Sequence, residues 1–248
     1  MESPSLVLLS GQQALERAMD IVANNVANAS TTGFKREGIE FGSFLDNAGA
    51  APGQGLNFVV ARSTYRDTAN GPIQPTGNPL DLAIQGAGYF PVQTPQGTRY
   101  TRDGSFQLNG EGEVVTLAGY PLLGEGNQPI TIPETAFQVN ISGDGFVTAR
   151  VDDGVSLLDI GKLSVVKFAD EQQMQPAGSG LYSTDQPSEP VDNSHIVQGA
   201  IEQSNVQPVA EITNMIRIMR SYEQTVNLMG QENSRLTDAL TKLSKTTV

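Results

Sequence analysis

From Pro208 to Leu243, apolar residues recur every seven positions in two series. Ile212, Met219, Val226, Asn233 and Leu240 form one series. Met215, Tyr222, Met229, Leu236 and Leu243 follow it three residues later throughout. This is the a/d spacing of a heptad seam, and Asn233 is its one polar interruption. A helix of about 36 residues rises roughly 54 Å at 1.5 Å per residue. It is too long to pack wholly on a domain built from the rest of the chain, so the spacing predicts a partner helix.

The N-terminal end offers that partner. Ser3-Pro4 is helix-start chemistry, because a Ser hydroxyl caps free N–H groups and Pro fits the first helical position. Apolar residues follow at Leu8, Leu15, Met19, Val22 and Val26. The last four are spaced four, three and four apart, which marks one helix face. The expected helix runs to about Asn28, with Gly33 as its stop. Asn24 and Asn28 share a face one turn apart, with Asn25 between them. They read either as a frayed polar helix end or as hydrogen-bonded groups at a helix–helix contact. The residues alone leave both open.

Between the ends the pattern changes. Residues 39–61 contain Asn47-Ala48-Gly49-Ala50-Ala51-Pro52-Gly53-Gln54-Gly55, which has little to bury and reads as a linker. Residues 62–204 read as β. Leu80, Leu82 and Ile84 alternate with Asp81, Ala83 and Gln85; Phe137, Val139 and Ile141 alternate with Gln138 and Asn140; Val147, Ala149 and Val151 alternate again. Turn signals separate such runs at Pro95-Gln96-Gly97, Asn109-Gly110, Gly143-Asp144-Gly145 and Asp152-Asp153-Gly154. The expected fold class is α+β. Residues 1–38 and 205–248 would form a discontinuous, coiled-coil-like helical domain, with an all-β antiparallel domain at 62–204 inserted behind the linker.

Charge narrows the partners. The net charge is −12, and nearly all of it falls between residues 41 and 204, leaving both ends close to neutral. An acidic middle argues against nucleic acid or an anionic membrane. The early apolar run Leu6 to Leu9 is too short for a membrane span, and Met1-Glu2-Ser3-Pro4 has no basic start of a Sec-type signal.

Candidate chemistry is sparse. The chain has no Cys, hence no thiolate ligand or nucleophile, and His195 is its only histidine. It sits in the polar stretch Asp192-Asn193-Ser194-His195 and reads as a surface residue. Gly86-Ala87-Gly88 follows a strand but leads into Tyr89-Phe90-Pro91-Val92, another strand. A phosphate loop needs a helix N-terminus there, so a turn or bulge is the better reading. Asp81 with Asp103, or Glu111 with Glu113, could pair for glycoside cleavage, but no apolar pocket surrounds them in sequence. Asp144-Gly145 and Asp152-Asp153-Gly154 lack the spacing of a calcium loop. The expectation is no enzyme, no cofactor and no metal.

The stretch from Asp20 to Lys35, with Asn24-Asn25-Val26-Ala27-Asn28 at its centre, resembles the N-terminal signature of bacterial flagellar rod and hook proteins. Three further blocks resemble that family in its own order: Gly77 to Gly86, Tyr100 to Phe106, and Gln198 to Val206 followed by the heptad helix. Within the family, Gln13-Ala14-Leu15-Glu16-Arg17 and the compact middle resemble the proximal rod members. The ending Lys242-Leu243-Ser244-Lys245-Thr246-Thr247-Val248 departs from the one common in the distal rod. The resemblance implies a structural subunit whose terminal helices line the rod and whose β domain forms its outer layer. It implies export through the flagellar type III apparatus and a place in the periplasm-spanning rod. Its implied partners are other rod proteins, including the distal rod protein, and copies of itself. The alternatives are a distal rod subunit, a periplasmic glycan-cleaving enzyme or a β-rich adhesin.

Overall fold

The computed structural model describes residues 3–46, 56–151, 156–191 and 195–246. The chain divides into two compact units: Met1–Ala27, Glu37–Asp67 and Gln207–Val248 form one, and Asn28–Arg36 with Thr68–Val206 the other.

The first unit holds two helices, α1 (Ser3–Ala27) and α2 (Pro208–Thr246), and two strands, β1 (Glu37–Asp46) and β2 (Leu56–Arg66). Helix α1 packs along α2 and against both strands. It buries Ala14, Ala18 and Val22. Their four-residue spacing makes one narrow face, and small side chains there let backbones approach closely. The expected helix ends agree with the structure to within a few residues. Gly33, however, is not a helix stop. It lies beyond the turn that follows Ala27, at φ +67°, where a Cβ would meet the Arg102 and Asp103 backbone at 2.5–2.7 Å.

The linker expected at 39–61 is corrected. Strands β1 and β2 pair antiparallel from Glu37↔Arg66 to Asp46↔Leu56, with a bulge at Glu40/Phe41. Aromatic and β-branched residues (Ile39, Phe41, Phe44, Phe58, Val59, Val60) supply the strand preference. The Gly/Ala-rich stretch that suggested a linker, 47–55, lies outside the described residues. The ribbon belongs with the helices, and residues 28–36 belong with the β unit rather than the helices.

The second unit is built from short strands: β3 (Ile73–Pro75), β4 (Leu82–Gln85), β5 (Phe90–Thr94), β6 (Gly97–Thr101), β7 (Phe106–Leu108), β8 (Val114–Thr116), β9 (Ala136–Ile141), β10 (Phe146–Val151), β11 (Ser156–Lys162), β12 (Val166–Lys167), β13 (Gln175–Gly178), β14 (Leu181–Ser183), β15 (Glu189–Pro190), β16 (His195–Gln198) and β17 (Ala200–Glu202). Its largest sheets run β13-β14-β6-β5 and β11-β10-β9. The pairs β16-β4 and β17-β3 close the unit by joining its last strands to its first. Leu82, Ile84, Phe90, Val92, Leu122 and Val147 are central to the main core. The alternation read at Val147 and Ala149 holds, with both buried and Phe146 exposed. It fails at β4, where Leu82, Ala83 and Ile84 are all buried because both faces of the strand are covered. Pro95-Gln96 turns β5 into β6. The Asp152-Asp153-Gly154 turn lies outside the described residues.

Candidate assembly surfaces and a buried charge cluster

Helix α2 carries two apolar stripes, and α1 covers one of them. Met215, Tyr222, Met229 and Leu236 are half-buried. The Tyr222 hydroxyl accepts a hydrogen bond from Gln12 Nε2 at 2.9 Å and donates to Glu16 Oε1 at 3.3 Å, which fixes the register of the two helices. The other stripe stays in solvent: Ile212, Met219, Val226 and Leu240 are 47%, 45%, 42% and 68% exposed. Asn233 is exposed in the same series, and the side chain of Leu243 lies outside the described residues. At 39 and 25 residues, α2 and α1 are about 58 and 38 Å long, so one helix cannot sheathe the other.

On α1, Leu8, Leu15, Met19 and Val26 are half-buried and Val22 is buried, so the stripe read from sequence is offset from the most buried line. The Asn cluster resolves unevenly. Asn25 is fully buried, and its amide makes two bonds to the backbone of Glu37, Nδ2 to O at 2.7 Å and N to Oδ1 at 2.9 Å. It therefore stitches the helix end to the first strand. Asn24 is exposed, and the Asn28 Oδ1 accepts from Thr31 Oγ1 at 3.1 Å in the following turn.

In the β unit, three charged residues meet in a cluster that sequence reasoning missed. Glu202 accepts from Lys35 Nζ through Oε1 and from Arg102 Nε through Oε2, each at 2.7 Å, and all three side chains are nearly inaccessible. The Gly71 N–H also donates to Glu202 Oε1, at 2.9 Å. Lys35 gives a second bond to the Ala69 carbonyl at 2.9 Å. Arg102 spends its remaining donors on Asn70 Oδ1 and on the carbonyls of Ile84, Gly86 and Gly88. Burial holds the Lys35 ammonium below the ordinary lysine range, against the opposing pull of Glu202. Beside the cluster, Asn205 accepts from the Arg36 N–H at 2.6 Å and donates to the Ala69 carbonyl at 2.9 Å. Arg36, Ala69 and Asn205 each lie within two residues of a point where the chain passes from one unit to the other. The signal was present at Glu202: on β17 it sits two residues after buried Ala200, on the face that should be apolar.

The sites weighed against catalysis take ordinary roles. Gly86-Ala87-Gly88 joins β4 to β5, and its carbonyls hold the Arg102 guanidinium. His195 is exposed at the start of β16. Asp81 accepts from Asn78 Nδ2 at 2.8 Å, and Asp103 accepts from Thr32 Oγ1 at 2.7 Å and the Ser105 N–H at 3.0 Å. Glu113 accepts from Asn109 Nδ2 at 2.9 Å. These carboxylates organise turns. No helix among the described residues is long and apolar enough to cross a membrane.

The cluster also explains why separated sequence blocks matter together. Lys35, Gly86, Arg102 and Glu202 come one each from the four motif stretches, and Gly33 donates its N–H to the Glu202 carbonyl at 2.8 Å. Family models match the same stretches: Flagella basal body rod protein at 6–35, Flagellar hook protein FlgE/F/G D1 domain at 83–149, and Flagellar basal body rod FlgEFG protein C-terminal at 197–242. Flagellar basal-body rod protein FlgF of Caulobacter vibrioides is 38% identical over 99% of both chains. FlgF of Mesorhizobium japonicum is 36% identical over 98% of both. FlgG of Buchnera aphidicola is 33% identical over 94% of this chain and 98% of its own. With paired terminal helices, an inserted β unit and relatives that match it from end to end, the chain belongs to the flagellar basal-body rod protein family.

Proposed function

We propose that the chain is a structural subunit of the proximal part of the flagellar rod, polymerising through its terminal helices. The observation that carries this is the uncovered stripe Ile212, Met219, Val226 and Leu240 on α2. Completing the burial of such half-exposed side chains contributes roughly 1 kcal/mol each. Helices of neighbouring subunits supply that cover, in a coiled-coil-like layer that also takes in Leu8, Leu15, Met19, Val26 and Asn24 of α1, whereas Val22 and Asn25 are already buried within the subunit and Asn28 lies just beyond the helix. Met215, Tyr222, Met229 and Leu236 hold the intramolecular side of α2, and Asn233 and Leu243 continue the two series. The partners are other rod proteins, axially and laterally, including the distal rod protein, together with copies of this chain. Delivery is through the flagellar type III export apparatus, and the assembled subunit stands in the periplasm-spanning rod.

The reading as a glycan-cleaving enzyme is not favoured, since Asp81, Asp103 and Glu113 are each committed to a turn. The proximal assignment is tested by position. Gold-labelled antibody on isolated basal bodies should decorate the part of the rod nearest the inner membrane. Label in the distal segment makes the chain a distal rod subunit, and label absent from the rod sinks the proposal.

A further inference from the structure

The β unit carries a knob and a groove at opposite sides of one sheet. In the order β11-β10-β9, β11 is one outer strand and β9 the other. Leu157 on β11 is 69% exposed. It lies directly across from Arg150, which in turn lies across from Gln138 on β9. Directly opposed residues project from the same face, so these three form one row. At its β9 end, Gln138 lines a groove of about 500 Å³ whose walls include Leu80, Leu108, Ile132, Pro133 and Ala136. Glu134 is the one charged residue lining it.

We infer that this groove receives the Leu157 knob of a second copy of the chain. Charge complementarity selects the occupant. Arg150 is exposed beside the knob, Glu134 is exposed at the groove, and neither makes an ion pair among the described residues. Seating Leu157 of one copy among Leu80, Leu108 and Ile132 of the next brings a cation to a carboxylate as it removes apolar surface from water. Direction follows as well. In a rod, where copies follow one another around an axis, the contact is heterologous: each copy gives its β11 side and receives on its β9 side. Contacts of that kind propagate instead of closing into a pair. The β units thus add a contact to the one made by the helices. This inference rests on the rod-subunit reading, since it requires copies held side by side.

The chain's lack of cysteine allows a direct test. Cells carrying a Leu108→Cys, Leu157→Cys variant that still swim are used, so that a rod is known to be present. Oxidised basal bodies from these cells should yield a ladder of disulfide-linked copies. Leu117 is as exposed as Leu157, at 69%, so Leu108→Cys with Leu117→Cys is the control and should give no ladder. Adding Glu134→Arg or Arg150→Glu alone should lower ladder yield about tenfold, and both together should restore it. Three outcomes overturn the inference: no ladder from swimming cells, a ladder equal to the control's, or a product that links this chain only to a different protein. Failure of the double reversal to recover, with singly reversed proteins melting normally, removes the charge pairing and with it the choice of occupant. Swimming cells without a ladder leave the rod-subunit reading intact, so the two failures are distinguishable.

Discussion

Glu202 is one carboxylate facing two buried cations, and removing its charge would leave both uncompensated. Breaking a buried pair from one side costs about 3–5 kcal/mol, whereas exposed pairs contribute little. Glu202→Gln should therefore destabilise the β unit by about that much in denaturant unfolding. Glu125→Gln, which removes the exposed partner of Lys162, should stay within about 0.5 kcal/mol of the parent. Equal effects would contradict the cluster's role. Lys35 adds a pH signature. Its pKa is lowered on folding by burial, so between the folded value and 10.5 the unfolded chain binds more protons than the folded one. Its cost is full below the folded value and fades as pH rises toward 10.5. The stability of the parent relative to Lys35→Met should climb across that alkaline range, and a flat difference at stepped pH would argue against it. None of this could be read from spacing. Glu202 lies 167 residues from Lys35 and 100 from Arg102, and only the closing of β17 onto β3 brings them together.

Both helices were legible in sequence, because an amphipathic period sustained over many turns fits a helix and excludes a strand. The ribbon was not. Its strands flank in sequence the Gly/Ala-rich stretch 47–55, whose composition dominates any window across 39–61, and a two-stranded ribbon has no sheet to give it a regular buried face. What holds its start is Asn25, whose amide replaces two backbone partners for Glu37. Asn25→Ala should weaken this junction by about 1–3 kcal/mol. Hydrogen exchange at the β1 and β2 amides should then accelerate while the β unit's amides stay protected; unchanged ribbon exchange would show that α1 packing alone is sufficient. The unit boundary makes a second prediction. A fragment of residues 62–204 lacks Lys35, Asn205 and Val206, whereas residues 28–206 retain the whole cluster. The longer fragment should melt cooperatively and well above the shorter one, and a shorter fragment of equal stability would place the boundary where the composition alone suggested it.

At the scale of the whole molecule, two features were legible from the residues: two amphipathic helical ends and an acidic body between them. Which stripe of α2 the chain keeps for itself was not, because a and d positions are equally apolar until a partner helix is present. The structure separates them. Val226, in the middle of the uncovered series, is 42% exposed in the single chain. In a polymerised rod the same side chain would be buried against another helix. Val226→Asp should then lose the burial that assembly completes, roughly 1 kcal/mol. It would also place an unpaired carboxylate in the seam, at a further cost of several kcal/mol unless it protonates or repacks. In the free chain that carboxylate sits in water and costs little. The expected outcome is a selective defect: the β unit melts at its usual temperature and the protein is exported, yet rods fail to grow and cells do not swim. Asn227→Asp, at an exposed neighbouring position, should be tolerated far better. Normal rods and swimming in Val226→Asp cells would mean that the uncovered stripe is not an assembly seam, and polymerisation would have to run through the ribbon or the β unit instead.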